Sequence, residues 1–170
     1  LQHGQVEEDG CCEVGVRAAA YRPWYSTRFE DAWKVAEYAV ENHQSLKDRT
    51  RRFHRALFSS TLPAYVLDAV SANLAILKSP TVLRQEDGML WCWEGSSYDS
   101  GCCAGSCTHV WNYAQALPYL FPALERTLRD QELMWSMDRR GHVTFRAALP
   151  TGHVSHEAAD GQLGGIVKLF

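Results

Sequence analysis

The sequence predicts a mainly α-helical protein, a helical array or toroid in place of a parallel-sheet fold, with short β-hairpins between long amphipathic helices. Three observations predict it. Apolar residues recur at helical spacing over most of the stretch from Phe29 to Leu128. Helix-start signals stand ahead of two of these runs. The period shortens to that of strands only around Gln85-Glu86-Asp87-Gly88, where a turn signal separates two apolar runs.

Residues 1–24 read as irregular, because Gly4, Gly10, Gly15 and Pro23 break any period, so this stretch is a linker or the tail of an upstream domain. Thr27-Arg28-Phe29-Glu30 has the form of a capping box, in which Thr27 and Glu30 satisfy orphan amides reciprocally. Phe29, Trp33, Ala36 and Val40 then share one helical face. Leu46, Phe53 and Leu57 continue an apolar stripe, and "KDRTRRFHR" gives the solvated basic face opposite. Pro63 opens the next helix near its first turn, with Val66, Val70, Leu74 and Leu77 on its buried side. Ser79-Pro80 ends it. "TVLR" and "MLWCW" flank the turn at Gly88, which supplies the positive φ of a hairpin. From Val110 a long helix is expected, with Ala114, Leu117, Phe121, Leu124 and Leu128 in register and kinks at Pro118 and Pro122. "DRRGHVTFR" reads as a turn and short strand, and a last helix begins near Asp160.

Composition removes several classes of function. The chain has 170 residues, 46% of them hydrophobic and 22% charged, which is enough for one domain with a real core. A net charge of −3 offers no basic field for nucleic acid or anionic membrane. No run approaches the roughly 20 apolar residues of a membrane helix. The amino end, "LQHGQVEEDG", lacks Met and any leader pattern, and "GGIVKLF" stops without a helix-end signal. Both ends read as cut from a longer protein. Six cysteines, two pairs of them adjacent, are too few for a disulfide scaffold and read as thiols of a reduced, cytoplasmic compartment.

The chemistry concentrates in "LWCWEGSSYDSGCCAGSCTHVWNYAQAL", Leu90 to Leu117. Three readings of it stand side by side. Cys102, Cys103, Cys107 and His109 are soft metal ligands, but a structural zinc site takes two separated pairs, and adjacent cysteines point apart in most conformations. No metal or other cofactor is therefore expected. A Cys-x₃-Cys disulfide is the second reading, and nothing selects it. In the third, Trp91, Trp93, Trp111 and Tyr113 bracket Glu94 as the walls of a pocket, and Gly95, Gly101 and Gly105 let a ligand approach the backbone. A plain core of tryptophans with a solvated Glu94 explains the same residues equally well.

Four stretches add weight to the pocket. "YSTRFEDAWKVAEYAVEN", "LKSPTVLRQEDGMLWCWEG", "GSCTHVWNYAQALPYLFPALERTLRDQEL" and "AADGQLGGIVKLF" resemble, in this order, glycoside hydrolase family 116, in its bacterial-type branch. That family includes β-glucosidases, β-xylosidases and non-lysosomal glucosylceramidases. The resemblance covers 25–170 and implies a truncated, N-terminal part of the catalytic domain. It implies the opening part of an (α/α)6 barrel, with 1–24 as the end of an upstream β-sandwich domain.

The resemblance also implies roles. Glu94, closing the aromatic-rich strand before Gly95, matches the family's nucleophile, and Trp93 beside it would stack on the sugar. Thr108 and His109 fall where the family contacts the sugar at the start of the next helix, although glucosylceramidases carry an acid at the position of His109. His156 and Asp160 both match a further sugar contact. The family's acid/base is an Asp beyond Phe170, and Asp99, Asp138 and Glu157 lie in no matching motif. The implied activity is retaining hydrolysis of terminal β-linked glucose or a related sugar, by two carboxylates about 5–5.5 Å apart. The partner is then a carbohydrate or glycoside. A non-catalytic carbohydrate-binding or interaction module is the alternative, and a zinc-binding helical domain stands behind both.

Overall fold

A computed structural model describes residues 21–170 apart from 97, 99, 100, 150, 153 and 154. The chain is mainly α: seven helices stand among the described residues, with three small two-stranded sheets. The linker expected over 1–24 therefore falls mostly outside the described residues. Residues 21–24, however, belong to the folded body. Glu86 N donates to Arg22 O at 2.9 Å, Pro23 bridges Gln85, and the Arg84 guanidinium lies 4.4 Å from the Trp24 ring centre.

The expected capping box does not form. Thr27 instead closes a short 3-10 turn over Trp24–Thr27, its Oγ1 donating to Trp24 O at 2.7 Å. Helix α1, Ala32–Glu41, starts one turn later with Asp31 as its cap, whose Oδ1 accepts from Lys34 N at 2.8 Å. Asp is as good a cap as Thr, and at Asp31 it reaches the amide three residues on. Helix α2, His43–Phe58, follows directly. Neither helix buries a residue, and Trp33 and Val40 are 74% and 78% exposed. Pro63 precedes α3, Ala64–Ala75, as expected. Its buried residue is Leu67, with Val66, Val70 and Leu74 half-buried beside it.

The hairpin forms as read. Strand β1, Val82–Arg84, pairs antiparallel with β2, Leu90–Cys92, and Gly88 takes φ +90° in the turn. Successive side chains of a strand point to opposite faces, and both faces of β2 are covered. Leu90 and Cys92 join Trp111, Leu117 and Leu128 in one core cluster. Trp91 and Trp93 join Ala147 and Leu149 in a second, where Trp91 stacks on Trp135 with centroids 6.3 Å apart. The two clusters therefore share β2.

The long helix expected from Val110 is three helices: α4 Thr108–Trp111, α5 Ala116–Leu120 and α6 Pro122–Trp135. Pro122 does not kink a helix; it begins one. Pro has no amide to give, so it is at home in a first turn, and Phe121 ahead of it leaves helical geometry at φ −135°, ψ 58°. Ala114, Leu117, Phe121, Leu124 and Leu128 nonetheless pack in the first cluster across the break. Strand β3, Gly95–Ser96, pairs with β4, Gly101–Cys102, and β5, Gly105–Cys107, with β6, Arg146–Ala148. Helix α7, Ala159–Val167, closes the chain. No helix of the described residues is long and apolar enough to cross a membrane.

Candidate active site

The site is built where β2 ends. Trp93 N donates to Thr81 O at 2.8 Å and Trp93 O accepts from Trp111 Nε1 at 3.1 Å, so the backbone is pinned up to Trp93. The chain then opens at Glu94, whose side chain is 41% exposed. Glu94 Oε2 accepts from Arg146 Nη2 at 3.0 Å and from Cys103 Sγ at 3.5 Å. Arg146 arrives by sheet register: it is the Cα partner of Cys107 across β5 and β6. Gly105 allows that pairing, because a Cβ there would meet Ala147 O at 2.1 Å. Burial works against the Arg146 charge, yet the bond to Glu94 and the nearby Cys103 and Cys107 sulfurs outweigh it and raise its pKa. Burial likewise pushes the Cys103 and Cys107 thiols up, leaving them protonated donors at neutral pH.

Phe145 joins Glu94's partner to two other residues. Its carbonyl accepts from Thr108 N at 2.8 Å and Thr108 Oγ1 at 2.7 Å, and its amide donates to His156 O at 2.9 Å. Its ring stacks on His156 with centroids 4.5 Å apart, and the Arg146 guanidinium lies 4.3 Å from the same ring centre.

Helices α4 and α7 complete the cluster. A Cβ on Gly161 would meet Thr108 Oγ1 at 2.5 Å, and one on Gly164 would meet Asn112 Cβ at 2.2 Å. Only glycine permits this approach. It brings His109 Nδ1 to 2.7 Å from Asp160 Oδ2, which also accepts from Tyr113 OH at 3.3 Å. The hydrogen bond from His109 holds the Asp160 carboxyl below its ordinary range.

Five of the six residues singled out from the sequence thus lie on one connected network: Glu94, Thr108, His109, His156 and Asp160. Trp93 does not. Its side chain is 2% exposed in the second core cluster, so it presents no ring to a ligand. Trp91 and Trp111 are core in the same way, and of the four aromatics expected to bracket Glu94 only Tyr113 is exposed. The reason is that both faces of β2 are covered. Thr108 is buried as well, and its hydroxyl is spent on Phe145 O. Gly105 gives its open side to Ala147 and not to a ligand. His156 and Asp160, alternatives in the sequence, both reach the network, and Asp160 lies in the first turn of α7 and is not its cap.

Arg146 and Phe145 went unread in the sequence. The signal available was a cationic residue inside the apolar strand "VTFRAAL", which demands an anion when buried. Asp138 and Glu157 sit elsewhere, on His142, whose Nε2 is 2.8 Å from Glu157 Oε2. Asp99 lies outside the described residues. A scan against known protein-family models and a search of curated proteins each found no match to this chain.

Proposed function

We propose that this chain carries the nucleophile side of a retaining β-glycosidase, acting on terminal β-linked glucose or a related sugar. Its helices would form the opening part of an (α/α)6 barrel. The observation that carries the reading is Glu94: a partly exposed carboxylate on the end of a doubly buried strand, oriented by Arg146. Both of its polar contacts among the described residues are made by Oε2. Oε1 is then the oxygen that attacks the anomeric carbon, forming a C–O bond as the glycosidic C–O bond breaks. The leaving oxygen takes its proton from an acid that the family resemblance assigns beyond Phe170. Water then releases the sugar with its configuration retained. His156 and the His109–Asp160 pair supply polar contacts for sugar hydroxyls. The exposed α1 and α2 faces support further helices packing there, and the sparse cysteines of the sequence suit a reducing, cytoplasmic setting.

The test is covalent trapping. A 2-deoxy-2-fluoroglucoside with a dinitrophenolate leaving group needs no acid to depart, so labelling does not depend on that residue. Peptide mass mapping should find the fluorosugar ester on Glu94, and Glu94→Gln should abolish it. A label on another carboxylate would overturn the assignment.

A further inference from the structure

Adjacent cysteines were expected to point apart. They do not. Cys103 takes φ +72°, alone among the described non-glycine residues, and Cys102 Sγ and Cys103 Sγ come within 3.3 Å. A left-handed non-glycine residue is strained and persists only where its surroundings enforce it. Here the enforcement comes from both sides: Cys102 is held by its pairing with Gly95, and Gly105 by its pairing with Ala148. Between them the chain must turn within two residues. The turn delivers both sulfurs to one carboxylate, for a Glu94 carboxylate oxygen, Cys102 Sγ and Cys103 Sγ all lie within 4.8 Å of one another.

We propose that Glu94, Cys102 and Cys103 bind a single thiophilic divalent cation of the zinc class. The distances fit one. Tetrahedral zinc, with Zn–S of about 2.3 Å and Zn–O of about 2.0–2.2 Å, sets two sulfurs about 3.8 Å apart and a sulfur and oxygen about 3.6 Å apart. The corresponding separations are 3.3 Å and 3.5 Å. Small rotations of two side chains close the difference. Three protein ligands and an open fourth position make the pattern of an accessible zinc site, in keeping with the exposure of Glu94. Charge also balances. A cation deprotonates the thiols it binds, so two thiolates and a carboxylate face the dication and the Arg146 guanidinium. Arg146, bonded to the ligating oxygen, would orient that ligand from outside the coordination sphere.

This inference rests on geometry and not on the glycosidase reading. Where both hold, the cation withdraws charge from the carboxylate that must attack, and the loaded protein turns over more slowly than the metal-free one. Cobalt(II) is the probe. Titrated into the reduced chain, it should give a sulfur-to-cobalt charge-transfer band and tetrahedral visible absorption, saturating at one equivalent. Cys102→Ser and Cys103→Ser should each weaken binding by about tenfold or more, and Cys107→Ser should leave the spectrum unchanged. No thiolate band in the wild-type chain would overturn the proposal. So would an undiminished band in the Cys102→Ser/Cys103→Ser double variant. Neither result bears on fluorosugar trapping at Glu94, so the two readings fail separately.

Discussion

Arg146 is the side chain that ties the network to Glu94, because it touches the carboxylate and the Phe145 ring together. Replacing it with Met removes the bond that orients Oε2 while keeping an apolar stem for the strand. A misplaced nucleophile costs about 10²-fold in rate, so Arg146→Met should lower kcat by about that factor on an activated glucoside. Unchanged kcat would detach Arg146 from the reaction. Asp160 makes a second test. Its carboxyl is held down by His109, so it titrates below the ordinary Asp range, and His109→Ala should move it upward. The sign for stability follows from a depressed folded pKa: this contribution is present above the unfolded value and is lost as pH falls through the folded one. Carbon-detected NMR of the Asp160 carboxyl reads the shift directly, and an unmoved titration would mean that the pair does not form in solution.

Helices α4 and α7 meet over glycine, and the site inherits its geometry from that contact. Gly164→Ala puts a methyl into Asn112 and should cost about 1–3 kcal/mol. It should also separate His109 from Asp160, so the Asp160 titration should rise together with the fall in melting temperature. A stability loss with no change in that titration would uncouple the helix contact from the site. The same elements mark what could be read in advance. The β1–β2 turn was legible because Asp87-Gly88 encodes it locally, and Pro63 announced α3 for the same reason. The start of α1 was misplaced because Thr27 and Asp31 are both competent caps, and the choice between them was made by the 3-10 turn over Trp24–Thr27. The tryptophans were misread because alternation along β2 says that faces differ, and not that both are covered. The left-handed Cys103 and the register of Cys107 on Arg146 depend on β3–β4 and β5–β6, pairings that no local pattern announced.

Beneath the site, a buried ion cluster fastens α6 to the end of α7. Arg129 Nε lies 2.9 Å from Glu125 Oε1 and its Nη1 is paired with Glu132, while Lys168 Nζ lies 3.6 Å from Glu125 Oε1. Burial outweighs the attraction of Arg129 and pushes the Glu132 carboxyl up to about 7. A raised acid favours folding while protonated. Its contribution is full below the unfolded value and is lost as pH rises from there through about 7. The melting temperature should therefore decline over that window, and Glu132→Gln should flatten the decline; a slope that survives the substitution would place its cause elsewhere. Finally, β2 belongs to both core clusters, and its amides are tied outward: Leu90 N to Thr127 Oγ1 at 3.0 Å and Cys92 N to Ser106 Oγ at 3.0 Å. Neither cluster can open alone and release it. Deuterium should consequently reach residues 90–92 only by global unfolding, long after α1 and α2 have exchanged, and the slowest-labelling peptide of the chain should be the one that ends at Glu94.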